Sequence, residues 1–229
     1  TNYTLSSTAT PNNIQGVASS LSGNNIPSHT LTLPAAYYQS GTVTYTITPT
    51  TNGCQGAPAS IGIQVKPLGD ISNTQLTKTI CSGQNVSINL TSNVSGTNFS
   101  WTATLVSGSI SGFNSGSGTQ INDILVNNGT AAGQVKYTVV PSASNCQGTP
   151  KEFLVTVKPK PDVLFSPVNQ TICAGTQFQN IQLSTSIVGE AVQYTWTGAA
   201  PTGITNYPAQ GNTPVINGTI VNSTLSTQG

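Results

Sequence analysis

The sequence predicts an all-β protein made of sandwich domains set in tandem in a linear array. The first observation behind this is a period. Val43-Thr-Tyr-Thr-Ile-Thr-Pro49 returns as Val135-Lys-Tyr-Thr-Val-Val-Pro141, and Cys54-Gln-Gly56 returns as Cys146-Gln-Gly148. Val65-Lys-Pro67 returns as Val157-Lys-Pro159 and Thr79-Ile-Cys81 as Thr171-Ile-Cys173, each 92 residues on (54 to 146, 65 to 157, 81 to 173). A fixed period of this kind marks a repeat architecture. The second observation is apolar alternation with a period of two, the pattern of strands with one buried face. The third is the clusters of turn-forming residues between those runs, with no 3.6-residue helical stripe anywhere.

The complete repeat spans residues 70–159. Its strands are predicted from Val86, Ile88 and Leu90, from Phe99, Trp101 and Ala103, from Val135, Tyr137 and Val139, and from Phe153, Val155 and Val157. Ile121, Ile124, Leu125 and Val126 suggest a further, less regular strand. Cys81-Ser-Gly83, Ser92-Asn-Val-Ser-Gly96, Asn127-Asn-Gly129 and Ser144-Asn-Cys-Gln-Gly148 supply the turns. Six or seven short strands in about 90 residues, with a Trp on a central strand, suit an immunoglobulin-like sandwich. Trp101 and its counterpart Trp196 are read as core anchors rather than a sugar-stacking platform, because Trp101 alternates in phase with Phe99 and Ala103.

Lys66-Pro-Leu-Gly-Asp70 and Lys158-Pro-Lys-Pro-Asp162 punctuate the array. Proline fixes φ and withholds a donor, so it ends strand pairing and stiffens the joint. Residues 1–67 then read as the later part of one repeat and 160–229 as the earlier part of another. Ser226-Thr-Gln-Gly229 aligns with Gln39-Ser-Gly41, just before the Val43 strand. The chain is therefore expected to be a segment of something longer, with the last strands of the third repeat supplied by the continuing polypeptide or by a neighbouring chain.

Composition narrows the function. The chain is 35% hydrophobic and 5% charged, with a net charge of +1 and no Arg. A surface solvated by hydroxyls and amides offers no basic patch for nucleic acid, whose binding draws on counterion release. No window reaches the roughly 18 apolar residues of a membrane span, so no membrane insertion is expected in this segment. The acids are Asp70, Asp123, Glu152, Asp162 and Glu190, and the one histidine is His29. No paired carboxylates, no nucleophile motif and no phosphate or dinucleotide loop appears, so no catalysis and no cofactor is expected. His29, in Pro27-Ser-His-Thr30, reads as a surface residue.

Thr-Ile-Cys-x-Gly before the second strand, Asn-Gly-Cys-Gln-Gly or Asn-x-Cys-Gln-Gly before the last, and a closing Val-Lys-Pro together resemble one repeat family. It is that of the polycystic-kidney-disease-like (PKD-like), immunoglobulin-like repeats of very large surface proteins from gliding Bacteroidetes. Leu90-Thr-Ser-Asn-Val-Ser-Gly96 with Phe99-Ser-Trp101, and Asn122-Asp-Ile-Leu-Val-Asn-Asn-Gly129, add to the likeness. The resemblance implies export by the type IX secretion system and display at the cell surface, as in gliding-motility adhesins of the SprB type. Neighbouring repeats and surface glycans or polysaccharide are the partners it suggests. Two alternatives stay open: a spacer or carbohydrate-binding module of a secreted polysaccharide-degrading enzyme, for which Tyr37, Tyr38 and Tyr207 are the aromatic candidates, and a filament subunit assembled by strand donation.

Four cysteines in an exported β-protein favour disulfides over metal. The preferred pairing is Cys81–Cys146 within the complete repeat, with Cys54 and Cys173 paired outside the segment. The alternative is Cys54–Cys81 with Cys146–Cys173 across adjacent repeats. The preferred bridge carries a difficulty, since the first and last turns of a plain immunoglobulin topology lie at opposite ends, and it requires a short or displaced first strand. For metal, the linker acids Asp70 and Asp162 are weak calcium candidates, because calcium takes six to eight oxygens and one acid per linker is few.

Overall fold

The computed structural model describes residues 1–21 and 24–223, and no helix occurs among them. The alignment of Ser226–Gly229 with Gln39–Gly41 lies outside the described residues. Strands β1 (Asn2–Thr10), β2 (Gly41–Thr51), β3 (Cys54–Gln55) and β4 (Ala59–Val65) form one antiparallel sheet about β2. The chain then runs through β5 (Thr77–Cys81), β6 (Gln84–Asn85), β7 (Ile88–Asn89), β8 (Asn98–Ser107), β9 (Ile110–Ser111) and β10 (Gly116–Ser117). The middle region continues with β11 (Gln120–Ile121), β12 (Ile124–Asn127), β13 (Gly133–Ala143), β14 (Cys146–Gln147) and β15 (Lys151–Lys158). Shorter strands complete the order: β16 (Leu164–Ser166), β17 (Ile181–Ser184), β18 (Trp196–Thr197), β19 (Ile204–Thr205), β20 (Gln210–Gly211), β21 (Val215–Ile216) and β22 (Val221–Asn222). Among the described residues, strand pairing stays within each of the three regions.

The middle region is a two-layered sandwich. Its larger layer has the order β10-β8-β13-β15-β5, antiparallel except where β5 runs parallel to β15. The order β6-β12-β9 and the pair β7–β11 form the smaller layer. Alternation places Val135, Tyr137, Val139, Phe153, Val155 and Val157 inward, where they meet Val86, Leu90, Ile110, Ile121 and Leu125 in one cluster. Burial of each such side chain contributes about 1.5–3 kcal/mol. The irregular run resolves in the same way: Ile121 and Leu125 point inward, Ile124 and Val126 outward.

The 92-residue period is a period of register as well as of residues. Gly41 faces Val65, Val43 faces Ile63 and Tyr45 faces Ile61, while Gly133 faces Val157, Val135 faces Val155 and Tyr137 faces Phe153. The cause lies in the turns. Asn52 and Gly53 have φ of 52° and 80°, and Ser144 and Asn145 have 49° and 66°. Both are two-residue loops with left-handed central residues, the geometry that matches strand twist and fixes hairpin register.

Two expectations are modified. The run Val86–Leu90 is not one strand, because Ser87 turns to φ 44°. Asn85 Oδ1 accepts from Ser87 N at 2.8 Å and from Ser87 Oγ at 3.0 Å, closing a local turn that competes with the ladder. Trp101 packs against the core from its rim and is half-buried. Its Nε1 donates to Asn114 O at 3.1 Å, and its ring closes on Gly116, its cross-strand neighbour. Trp196 repeats this with Thr213 O at 3.2 Å and with Gly211.

Candidate functional site

The chemistry-bearing side chains divide between the hairpin core and the two ends of each repeat. Within the sandwich, Tyr137 Oη donates to Asp123 Oδ2 at 2.7 Å, and Asn114 N donates to the same oxygen at 2.8 Å. Burial, reinforced by the hydrogen bond and negative charge of Asp123, holds the Tyr137 phenol well above its ordinary value. In the first region Tyr45 takes the same place, but its partners are His29 and Ala18. His29 Nδ1–H donates to Pro27 O at 2.5 Å, leaving Nε2 to accept from the Tyr45 hydroxyl at 2.6 Å, and Ala18 N donates to that hydroxyl at 3.2 Å. His29 is thus a partly exposed residue that also pins a loop onto a buried tyrosine.

The remaining acids are committed to structure in the same way. Glu152 pairs with Lys136 at 2.9 Å and Glu190 with Lys158 at 2.9 Å. The hydrogen bond and charge of Glu190 raise the Lys158 ammonium above its ordinary value. Asp70 takes Ser92 Oγ, Asn93 N at 2.9 Å, Asn93 Nδ2 at 2.8 Å and Val94 N at 3.2 Å. Burial opposes ionisation of Asp70, but the hydrogen bonds from Ser92, Asn93 and Val94 together outweigh it and hold the carboxyl low. Asp162 takes Thr185 Oγ1 at 2.6 Å and Ser186 N at 2.9 Å, and these bonds lower its pKa. Both calcium candidates thus face N–H and O–H donors, an arrangement that suits a carboxylate clamp on a loop rather than a shell of oxygens converging on a cation.

The cysteines sit at the ends of the sandwich. All four are free, so the expected Cys81–Cys146 bridge is corrected. Cys81 pairs in register with Lys158, the last residue of β15, whereas Cys146 lies in the turn that precedes Lys151, the first. Lys151 to Lys158 spans about 23 Å at roughly 3.3 Å per residue, against the ~4.4–6.8 Å between Cα atoms that a disulfide needs. The first strand is in register and not displaced, so the topological difficulty prevails. The adjacent-repeat alternative meets the same obstacle. Cys54 lies at the β2–β3 turn, at the far end of the ladder from Val65, where the chain leaves for the next repeat.

Two ties join the middle and third regions at the Cys81 end: the Lys158–Glu190 ion pair, and Val188 N donating to Thr130 O at 2.8 Å. The spacing of residues did not reveal these ties. A trough of about 490 Å³ between β5 and β7 is lined by amides and hydroxyls including Asn73, Gln75, Ser87 and Asn89. An apolar cleft of about 500 Å³ in the third region is lined by Ile172, Phe178, Trp196, Tyr207 and Ile216. Tyr207 lines this cleft in the third region, whereas Tyr37 and Tyr38 belong to the first region. No helix among the described residues is long and apolar enough to cross a membrane.

Residues 78–161 match the family model of the PKD-like domain, from within β5 to just beyond β15. No curated protein sequence matches the chain. Among solved structures, it is similar to the FN1–FN3 domains of chicken CNTN1 at 12% identity, covering 97% of this chain and 79% of that one, with a TM-score of 0.35. Human CDH23 EC21–23 matches at 13% identity over 99% of this chain and 80% of that one, with a TM-score of 0.40. The extracellular cadherin domains 1–5 of protocadherin gamma B2 match at 11% identity over 97% and 46%, with a TM-score of 0.35. PKD-like domains are typically non-catalytic modules of extracellular proteins. Residues 78–161 are similar to the PKD-like domain family and fold as an immunoglobulin-type β-sandwich.

Proposed function

We propose that the chain is a structural and adhesive segment of a long extracellular surface fibre, of the gliding-motility adhesin (SprB) type exported by the type IX system. Its repeats stand in a linear array, with residues 1–67, 70–159 and 160–229 belonging to three successive units. The observation that carries this reading is the β2–β4 hairpin reproduced in the same register in β13–β15, 92 residues on (Val43 to Val135). A unit reused at that fidelity, joined by Lys-Pro linkers, builds length. A neutral surface of hydroxyls and amides gives reach without charge-driven sticking, and many weak contacts along a fibre add up through effective concentration. The trough between β5 and β7, with its paired donors and acceptors, suits sugar hydroxyls of surface glycans. Deleting the array from the native protein is expected to abolish attachment of cells to a glycan-coated surface; unchanged attachment would refute the adhesive role.

The apolar cleft of the third region favours a second reading, in which a neighbouring copy donates a strand resembling Val43–Pro49 to cover Trp196 and Ile216. That reading predicts a concentration-dependent chain of protomers in sedimentation velocity, and a single monomeric boundary at high concentration would remove it.

A further inference from the structure

We propose that the outer edge of β4 accepts a strand from a second copy of this chain: residues 169–173 of one protomer lie parallel to residues 62–66 of another. The ladder rests on the strand-donation reading and gives it an acceptor, a donor and a register. The middle repeat supplies the pattern. There β5 runs parallel along the outer edge of β15, with Thr79 opposite Thr156, Ile80 opposite Val157 and Cys81 opposite Lys158. One step of 92 residues back from Thr156, Val157 and Lys158 lie Gln64, Val65 and Lys66 (156 to 64). One step forward from Thr79, Ile80 and Cys81 lie Thr171, Ile172 and Cys173 (79 to 171). The chain therefore carries a second acceptor and a second donor for the same ladder, one in its first region and one in its third.

Both are open. Among the described residues β4 pairs only with β2. Ile61 and Ile63 lie opposite Tyr45 and Val43 and share their inner face, yet they are 55% and 38% exposed. Phe153 and Val155, one repeat on, are 1% and 0% exposed. A cleft of about 520 Å³ lined by Ile26, Leu31, Ile61, Ile63 and Val65 runs beside this uncovered edge. On the donor side, no backbone hydrogen bond among the described residues engages residues 169–172, although Thr171-Ile-Cys173 repeats the close of β5. Ile172 and Phe178 stand where Ile80 and Val86 stand, but they line an open apolar cleft, whereas Ile80 and Val86 are buried with Val155 and Val157. A single parallel ladder satisfies both edges and sets Ile172 against Val65. Donor and acceptor are different surfaces, so the contact is heterologous and propagates from copy to copy.

The backbone groups that make the ladder can be named. Leu154 N donates to Leu76 O at 2.8 Å, and Ser82 N donates to Lys158 O at 2.9 Å. Alternation then turns Leu154, Thr156 and Lys158 toward β5, and Gly62, Gln64 and Lys66 take those places in the first region. Their N–H groups face away from β2, so a proline at position 64 withholds a donor from the outer edge alone.

The test is a crosslink between two copies of the 229-residue chain. A variant carrying Lys66→Cys and Cys173→Ser is mixed with the wild type and oxidised with glutathione disulfide, then mapped without reduction. Opposed residues of neighbouring strands lie about 4.8 Å apart, within the ~4.4–6.8 Å between Cα atoms that a disulfide accepts. The expected product joins position 66 of the variant to Cys173 of the wild type, and reductant separates it. Adding Gln64→Pro to the variant should abolish that link while leaving the circular dichroism of the sheet unchanged. Absence of the link, or an equal yield with Gln64→Pro, overturns the proposal. The ladder and the reading beneath it fail differently. A chain of protomers in sedimentation velocity without the link removes this ladder and keeps strand donation, whereas a single monomeric boundary at high concentration removes both.

Discussion

Tyr137 donates its phenolic proton to Asp123 at 2.7 Å, while Tyr45, at the same position of the same hairpin one repeat earlier, gives its proton to His29 at 2.6 Å. The hairpin demands a partner for a hydroxyl it buries, and the two repeats meet that demand with different residues from the loop that crosses it. Tyr137→Phe leaves Asp123 with its Asn114 donors alone and should cost the middle repeat about 2 kcal/mol, within the range for hydrogen bonds to charged groups, read as a shift in urea midpoint with unchanged m.

The same phenol gives an alkaline dependence. Its folded pKa is raised above the ordinary 10.0, so above that pH the unfolded chain loses a proton that the folded chain keeps. Its contribution is intact below pH 10 and declines as pH rises further. Phenolate absorbance of Tyr137 should therefore appear together with unfolding; ionisation in a still-folded protein would contradict the contact.

At Gly116 any side chain would meet Trp101. A Cβ there lies 2.9 Å from Trp101 Cζ2, closer than such atoms approach. Gly116→Ala is expected to displace the indole and cost about 1–3 kcal/mol, as overpacking does, with a shift in tryptophan emission. An unchanged spectrum and midpoint would mean that the ring has room to move.

Asp70 clamps the 92–94 loop in its ionised form. Its lowered folded pKa means that the stability it contributes is present above the ordinary 3.8 and is lost as pH falls through the folded value. Asp70→Asn should remove about 1 kcal/mol at neutral pH, a discounted figure because the group is only partly buried, and should flatten the acid limb of the pH–stability curve.

The Lys158–Glu190 pair ties two units at an exposed joint. Glu190→Gln should leave the urea midpoint of the middle repeat unchanged and broaden the interdomain distance distribution in small-angle scattering. High salt should do the same to the wild type, since exposed pairs are screened.

How much of this was legible depended on what the sequence encodes locally. The hairpins were readable because alternation fixes a strand's faces and both turns recur in kind; Val135, Tyr137 and Val139 fell where the period put them. Val86–Leu90 read as one strand because alternation does not register the side-chain turn at Asn85 that breaks it. The partner of His29 was not legible because it lies 16 residues away (29 to 45) across an aperiodic loop. Cys81–Cys146 failed for a related reason: spacing along the chain does not say at which end of a sandwich a residue emerges. The parallel pairing of β5 with β15 does.

The central claim is that this chain belongs to a linear array of like sandwiches. Negative-stain microscopy of the native, full-length polypeptide tests it most directly. The account predicts a beaded thread whose bead spacing corresponds to one repeat of about 92 residues (54 to 146). A compact globule bearing a short beaded arm would contradict it and move the function into the globule.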